Sequence, residues 1–244
     1  MISLEVDYLI VVTVLITAFI QSIFGVGVLL FGTPILLLLN YSFIDILFIL
    51  LPISAVINFL QVSKNIYDVD YSIYKNIIIF TVPPIIACLF LVAHIKLEIN
   101  IIIGLVLILI AIKENSLTIK SLFEKFLKFH RVFYLFMGII HGLTNLGGAL
   151  LTAKIFYTKL NKNQKRSTIA ISYMTFALFQ IITILIIDFT YNLIYLFYVL
   201  VGLLTYIMVN KIVFQKISNE KYNKFFSLFL IVSGFSLILK GFAW

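Results

Sequence analysis

Apolar residues run along this chain in long stretches, separated by short polar and basic segments. Eight apolar blocks lie roughly at 8–41, 43–62, 76–95, 97–112, 132–158, 167–187, 192–210 and 222–244. A helical membrane crossing needs about 20 apolar residues, so most blocks fit one crossing each. The first and fifth blocks are longer than one crossing requires, and both contain glycines near the middle. The pattern predicts an all-α polytopic membrane protein.

The composition agrees with this prediction and excludes other classes. Of the 244 residues, 63% are hydrophobic and 11% are charged, whereas about a quarter of the residues of a soluble domain are charged. This excludes a soluble enzyme and a nucleic-acid-binding domain, although the net charge is +8. Cys88 is the single cysteine, which excludes an intramolecular disulfide. The acidic N-terminal segment differs from a secretory signal, so the first block is expected to belong to the mature fold.

The basic residues decide how the two long blocks run. If all eight blocks crossed once, the cations would divide into 8 on one side and 10 on the other. If the first and fifth blocks each enter and return on the same side, 16 of the 18 cations become cytoplasmic. The positive-inside rule expects a strong asymmetry and therefore favours the second topology. The cytoplasmic cations then lie in four segments, 63–75, 113–131, 154–166 and 211–224.

This topology has six full crossings and two re-entrant or broken-helix hairpins, with both termini outside. The outer face then holds Glu5, Asp7, Asp45, Glu98 and Asp188 together with Lys96 and Lys240. Each half contains one hairpin and three crossings, so the two halves are expected to be inverted repeats. We place the first repeat at 1–112, a cytoplasmic basic linker at 113–131 and the second repeat at 132–244. Inverted repeats built on broken helices are typical of secondary transporters.

A residue-level repeat supports the division. A shift of 120 positions aligns 21–30 with 141–150 and pairs Gln21 with His141, Gly25 with Asn145 and Gly27 with Gly147. The next crossings also resemble each other, since 59–62 aligns with 178–181 and pairs Gln61 with Gln180. Both motifs fall at the midpoints of the long blocks, which predicts that each lies at the tip of its hairpin.

With these motifs the sequence resembles the TauE/SafE family, also called the sulfite exporter family, whose members carry G-x-x-G-x-G-G-G…P in each half. Matching residues are Gly25, Gly27 and Pro34 in the first motif and Gly138, Gly142, Gly147 and Gly148 in the second. Val28 and Leu29 replace further glycines of the first motif, and Asn145 stands where the second often has glycine. The resemblance implies a transporter of sulfur-containing anions such as sulfite and organosulfonates.

The tips have the chemistry of an anion site. Glycine permits a positive φ where one helix ends and the next begins, and it leaves backbone N–H groups accessible. The second leg of each hairpin starts at the tip, so its free N–H groups and positive dipole end face the interior. Uncharged polar residues converge on the same region. The predicted substrate-binding residues are Gln21, Ser22, Gly25, Gly27, Asn58, Gln61, His141, Thr144, Asn145, Gly147, Gly148 and Gln180.

Plainer interpretations stand beside this one. Gly138 and Gly142 form a GxxxG pair, a spacing that favours close helix packing. Each polar residue taken alone is better explained as an inter-helix hydrogen-bonding group, and only their convergence on the two tips favours a polar cavity. His141 is either a neutral imidazole bonded to a neighbouring helix or a proton carrier coupled to transport.

We therefore expect a secondary transporter that moves a small anion, a sulfur-containing oxyanion or an organosulfonate, across the cytoplasmic membrane by alternating access. The alternatives are an anion channel, a structural membrane subunit and, with least support, an intramembrane enzyme using a pair such as Ser22 and His141. No catalytic residue, metal or cofactor is expected, and no nucleotide-binding Gly-x-x-x-x-Gly-Lys motif is present. The expected partners are the anion and the lipid bilayer. A coupling ion, either proton or sodium, and a homo-oligomeric state are left open.

The hairpin topology makes a labelling prediction. Single cysteines at positions 40 and 160, introduced into a Cys88→Ser background, should react with an impermeant maleimide from opposite faces of the membrane. Each position follows the second leg of one hairpin, and the hairpins are expected to enter from opposite sides. Labelling of both cysteines from the same face would contradict the topology.

Overall fold

The computed structural model describes residues 6–95, 99–115, 117–187, 192–210 and 219–242. Within these ranges the chain forms eleven α-helices and one short 3-10 turn at Ile66–Asp68, with no strand. The helices are α1 Tyr8–Phe24, α2 Val28–Leu38, α3 Phe43–Ser63, α4 Tyr71–His94, α5 Ile99–Asn115, α6 Leu117–Leu127, α7 His130–Thr144, α8 Gly147–Phe156, α9 Lys162–Ile187, α10 Ile194–Asn210 and α11 Asn219–Phe242. The prediction of an all-α polytopic membrane protein is confirmed.

The helices agree with the eight apolar blocks. Among the described residues, α3, α4 and α9 are long and apolar enough to cross a membrane by length and composition. Shorter apolar helices occupy the other blocks. The first and fifth blocks each divide into two helices, α1 with α2 and α7 with α8. Side-chain caps fix several helix starts, since Ser42 accepts from the Asp45 N–H and Asp70 accepts from the Ile73 N–H.

The start of α1 and the end of α2 lie at the same end of the bundle. The Tyr41 hydroxyl, just after α2, donates to the carboxylate of Asp7, just before α1. The Asp7 N–H donates in turn to the Tyr198 hydroxyl of α10 at 3.0 Å. Burial and the adjacent Asp7 carboxylate raise the pKa of the Tyr41 phenol, so it remains a donor. We call this the Asp7 end of the bundle.

The second pair, α7 and α8, closes at the other end. Lys154 of α8 donates to the Leu127 carbonyl, and its Nζ lies 3.2 Å from His130 Nδ1 at the start of α7. We call this the His130 end. Lys154 is 3% exposed and its ammonium also lies over the Phe133 ring, so this first cation of the 154–166 segment is buried within α8. Its long side chain reaches from the apolar helix to a polar partner.

The helix α3 connects the two ends. It starts at Phe43, beside Tyr41 at the Asp7 end, and Val62 near its other end packs against Ala170 and Ile171 of α9. The Asp70 N–H, which follows α3, donates to the hydroxyl of Thr168 on α9 at 2.9 Å. Thr81 of α4 donates to the Tyr134 carbonyl at 3.0 Å, which joins α4 to α7. The two helical hairpins therefore open toward opposite ends of the bundle.

The symmetry of the two halves and the bounds 1–112 and 132–244 stay predictions, as does the assignment of each end to a side of the membrane. Several residues that the sequence analysis assigned to one side of the membrane lie outside the described residues. They are Glu5, Lys96, Glu98, Asp188 and the 211–218 part of the last basic segment. The basic linker 113–131 contains a helix that the sequence reasoning did not predict. This helix, α6, packs against α7 through Phe126 and Phe133, whose ring centroids are 5.5 Å apart.

Glycines bring α4 and α7 into close contact. A Cβ atom at Gly142 would lie 2.7 Å from the Ile85 carbonyl oxygen and 2.8 Å from Cys88 Cβ, and one at Gly138 would meet the Thr81 carbonyl. These distances are too short for any side chain. The interpretation of Gly138 and Gly142 as packing residues therefore agrees with the structure.

We predict that Gly142→Ala destabilises the protein by roughly 1–3 kcal/mol, the usual cost of overpacking. The added methyl group would collide with the α4 backbone, which has no room to move. Thermal unfolding in mild detergent measures the effect. Ile139→Ala on the same helix is the control, because Ile139 is 41% exposed and should change stability little. An unchanged or raised melting temperature for Gly142→Ala would contradict the close contact.

Candidate functional site

The tip of the first hairpin depends on two glycines with different roles. Gly25 ends α1 with φ +78° and ψ −6°, a left-handed conformation that favours glycine, and its N–H donates to the Gln21 carbonyl at 2.8 Å. Gly27 precedes α2, and a Cβ there would lie 2.6 Å from the Gln21 nitrogen and 2.8 Å from the Thr17 oxygen. Gly25 permits the turn, and Gly27 permits the two legs to touch.

Gln21 and Ser22 are both engaged within this hairpin. The Gln21 Oε1 accepts from the Val28 N–H at 2.9 Å and so caps the start of α2. The Ser22 hydroxyl donates back to the Phe19 carbonyl at 2.7 Å. Both side chains are buried and stabilise the tip. Their predicted contact with a substrate stays a prediction.

At the second tip the turn residue is an asparagine, and the helix that follows, α8, has no side-chain cap. Asn145 ends α7 at φ +61°, and its N–H donates to the His141 carbonyl at 2.7 Å. Thr144 donates to the Ile140 carbonyl and accepts from the Leu146 N–H at 3.2 Å. Leu146, at the N-cap of α8, offers no capping side chain. The first N–H groups of a helix have no intrahelical partner, and here they belong to the glycine pair 147–148.

Gly147 and Gly148 are also required by close contacts. A Cβ at Gly147 would collide with the His141 Cβ and would lie 2.8 Å from the Met137 oxygen. The hydroxyl of Tyr173 occupies the space that a Cβ at Gly148 would need. The start of α8 is therefore packed directly against α7 on one side and α9 on the other.

One face of α9 runs past both tips. Arg166, Tyr173 and Gln180 are spaced by seven residues and so lie on the same side of the helix. A Cβ at Gly25 would have Arg166 Cγ as its nearest neighbour, at 4.0 Å. Gln180 Oε1 lies 3.1 Å from His141 Nε2, just before the second tip. The two motifs, more than a hundred residues apart in sequence, thus border the same helix.

A direct hydrogen bond joins the two hairpins. Asn145 Nδ2 of the second tip donates to the Thr33 hydroxyl of α2 at 3.0 Å, and both residues are buried. The sequence reasoning missed Thr33, and it also missed Arg166 and Tyr173. The seven-residue spacing of Arg166, Tyr173 and Gln180 was a usable signal, whereas nothing in the sequence singled out Thr33.

The α3 polar residues Ser54, Asn58 and Gln61 form a buried stripe at the level of the first tip. Asn58 Nδ2 donates to the Ser54 carbonyl at 2.8 Å and lies 3.1 Å from the Ser54 hydroxyl. A Cβ at Gly32 would lie 2.8 Å from Leu50 Cδ1, which fixes the register of α2 on α3. The helices run in opposite directions, and Gly27 is about 7 Å deeper than Gly32 at 1.5 Å per residue. This brings the first tip level with the Ser54–Asn58 turn.

Five predicted site residues carry buried polar atoms that have no hydrogen-bond partner within the described residues. Leaving such an atom without a partner costs roughly 1–3 kcal/mol, and each therefore favours a polar partner from outside the chain. The atoms are Asn58 Oδ1, Gln61 Nε2 and Oε1, His141 Nδ1, Asn145 Oδ1 and Gln180 Nε2.

The side chains around the tips include hydrogen-bond donors and one cationic group. Over the part of the chain that the structure describes, no group of three His, Cys, Asp or Glu residues has the arrangement of a metal site. Arg166 is the cationic side chain beside Gly25, and its Nη2 lies 3.5 Å from the Tyr206 hydroxyl. Amide, hydroxyl and guanidinium donors suit an oxyanion.

A comparison with protein families identifies the family. The family described as sulfite exporter TauE/SafE matches residues 9–237. The chain belongs to this family. The resemblance in the motifs is thereby confirmed, and membership makes the protein a membrane transporter of the sulfite exporter type. No curated protein and no solved structure gave a match.

We predict that Thr33→Val and Asn145→Leu are energetically coupled. Their hydrogen bond joins the hairpins, and inter-helix bonds in membrane proteins contribute on average ~0.6 kcal/mol, with a maximum of ~1.7. A double-mutant cycle on unfolding in detergent measures the coupling. Thr205→Val is the matched control, because the Thr205 hydroxyl donates one turn back to the Val201 carbonyl. Zero coupling between Thr33→Val and Asn145→Leu would contradict a hairpin contact.

Proposed function

We propose that this TauE/SafE protein is a secondary transporter that moves a small sulfur-containing anion, an oxyanion or organosulfonate, across the cytoplasmic membrane by alternating access. The observation that carries the proposal is the contact of the second hairpin tip with α2, the second leg of the first hairpin, where two hairpins entering from opposite ends of the bundle come together. Asn145 bonds to Thr33 across this contact, and the surrounding polar atoms lack partners within the described residues.

The binding chemistry is that of a helix N-terminus. The N-terminus of α8 presents Gly147 and Gly148 without a side-chain cap, so its N–H groups and positive dipole end favour an anion. The Val28 N–H of α2 is already bonded to Gln21, so α8 is the stronger candidate. Arg166 adds a positive charge beside Gly25. These features support an anion site that needs no cation inside either tip.

The two hairpins also suggest how access alternates. Each hairpin is closed at its own end, by Tyr41 with Asp7 at one end and by Lys154 with Leu127 at the other. Rocking of one half against the other would open the tips toward one end at a time. The Asn145–Thr33 bond crosses the moving boundary, so it must break or change partner in each cycle.

Competing functions have less support. An intramembrane enzyme would need His141 to activate the Ser22 hydroxyl. Instead, the Ser22 hydroxyl donates to the Phe19 carbonyl, and His141 contacts Gln180. A channel would share the polar tips but would conduct without saturation. We also propose that both termini lie outside the cytoplasmic membrane. The coupling ion of the proposed transporter is either a proton or sodium.

The decisive experiment is flux into liposomes that contain the purified chain. Saturable uptake of labelled sulfite or of a sulfonate supports a transporter, whereas unsaturable flux supports a channel. A thermal-shift screen with sulfite, thiosulfate, sulfonates and carboxylates ranks the substrates. No flux and no stabilisation by any of these anions would contradict the proposal.

We predict that Asn145→Leu and Gly147→Leu abolish anion flux while membrane insertion is retained. Leucine at 145 removes the polar tip group, and leucine at 147 would block the start of α8 against His141 and Met137. Asn65→Leu is the control for the asparagine, because Asn65 is exposed and makes no side-chain cap bond. Flux at the wild-type level in both tip variants would exclude the tips as the binding site.

A further inference from the structure

An exposed apolar face of α7 runs up to the turn that joins this helix to α6. Val132, Phe136 and Ile139 are 55%, 38% and 41% exposed, and their spacing of four and three residues places them on one side of α7. Phe129, at the N-cap of α7, is 65% exposed and extends the same side by three residues. In a membrane protein such a face contacts lipid acyl chains. The α6–α7 turn therefore lies where the lipid-facing surface of α7 ends.

Cationic side chains surround the same turn. Lys125 in the last turn of α6, Lys128 after it and Arg131 at the start of α7 are all exposed. The Lys128 N–H donates to the Lys125 carbonyl at 3.1 Å, so the two lysines follow each other within one tight turn. Glu124 is the one acidic residue in the segment 121–132, which has a net charge of +2 with histidine neutral.

The protein itself does not neutralise these cations. Over the part of the chain that the structure describes, the side chains of Lys125, Lys128 and Arg131 form no ion pair and no hydrogen bond. The Arg131 guanidinium lies over the Phe80 ring of α4, 5.8 Å from its centroid. A ring below the guanidinium leaves its N–H donors available to an anion at the edge.

The position of the charges identifies the kind of anion. A free anion would need only the cations, whereas the exposed side chain of Phe129 beside them also needs an apolar partner. Clusters of basic residues next to apolar side chains are typical of segments that lie at the surface of an anionic bilayer. An anionic phospholipid supplies both partners, because its phosphate is attached to acyl chains.

We propose that the α6–α7 turn is a binding surface for an anionic phospholipid. Lys125, Lys128 and Arg131 bind the headgroup, and the face of α7 that starts at Phe129 contacts the acyl chains. The proposal does not depend on which anion the protein transports.

The same turn holds the second hairpin in place. Leu127, which lies between the two lysines in sequence, accepts a hydrogen bond through its carbonyl from the buried Lys154 of α8. A lipid bound to Lys125 and Lys128 fixes this carbonyl, so it should stabilise the whole protein against unfolding.

The test is quenching of tryptophan fluorescence in phosphatidylcholine vesicles that contain the purified full chain. The reporter is Phe129→Trp in a Trp244→Phe background, which removes the single native tryptophan. A small, constant fraction of the lipid carries brominated acyl chains, on either phosphatidylglycerol or phosphatidylcholine, and quenches only where it touches the reporter. Leu193→Trp in the same background is the control position, because Leu193 is 60% exposed and no Lys or Arg lies between 167 and 210.

A basic residue near an anionic lipid surface contributes roughly fivefold to affinity. The net charge of +2 therefore predicts that phosphatidylglycerol is preferred roughly 25-fold at position 129. The double variant Lys125→Gln/Lys128→Gln brings the net charge to zero and should lose this preference. Lys64→Gln/Lys75→Gln is the matched control, because it removes the same charge from exposed lysines outside the turn and should keep the preference.

Thermal unfolding in neutral detergent is the second measurement. Added phosphatidylglycerol should raise the melting temperature of the wild type and of Lys64→Gln/Lys75→Gln. It should have little effect on Lys125→Gln/Lys128→Gln. Equal stabilisation of all three proteins would overturn the proposal.

Three quenching results would also overturn it. They are equal quenching by the two lipids at position 129, a preference that survives Lys125→Gln/Lys128→Gln, and an equally strong preference at position 193. Loss of the preference on adding millimolar inorganic phosphate would assign the surface to a soluble anion instead. Leu122→Trp, on α6 at a residue that is 59% exposed, serves as the reporter if Phe129→Trp does not fold.

Discussion

Two helices of this bundle, α1 and α7, end in the buried interior, where water cannot satisfy the backbone groups that a helix end exposes. Every nearby feature follows from this constraint. Gly25 and Asn145 adopt positive φ so that the chain can turn, and their N–H groups bond to carbonyls of the preceding turn. The helices that start after the turns then present unpaired N–H groups inside an apolar protein. A helix break inside the bundle is therefore destabilising unless a polar group forms hydrogen bonds with these N–H groups.

The two breaks are resolved differently. At the first tip Gln21 reaches across the turn and accepts from the Val28 N–H, so the hairpin largely satisfies itself. At the second tip Leu146 stands in the capping position and has no polar side chain, so α8 starts uncapped beside Tyr173. The two tips therefore differ in how their second helix is capped, although both carry the same kind of glycine motif.

Polar groups in the site are arranged in layers along α3, α7 and α9. His141 contacts Gln180, and Asn145 contacts Thr33, so each bond joins two elements from different parts of the chain. Asn58 and Gln61 complete the layer from α3, next to the first tip. Because these bonds cross the boundary between hairpins and the helices around them, motion of a hairpin necessarily changes which polar atoms have partners. In the proposed mechanism, substrate binding and conformational change would therefore be linked through the same few side chains.

The sequence by itself determined the class of fold, the position of nearly every helix and the location of the two breaks, because the length and hydropathy of apolar runs are local properties. The glycines and uncharged polar residues at the breaks also predicted an anion site, because they leave helix N-termini accessible, and that site stays a prediction. The family resemblance rested on the glycines that the backbone turns require. The contacts between residues on different helices could not be predicted from the sequence. That Asn145 would meet Thr33, that Tyr173 would cover Gly148, and that Lys154 would be buried depended on the relative depth of two hairpins and the rotation of α9. Those quantities are set by side-chain packing between helices distant in sequence, which no local pattern encodes.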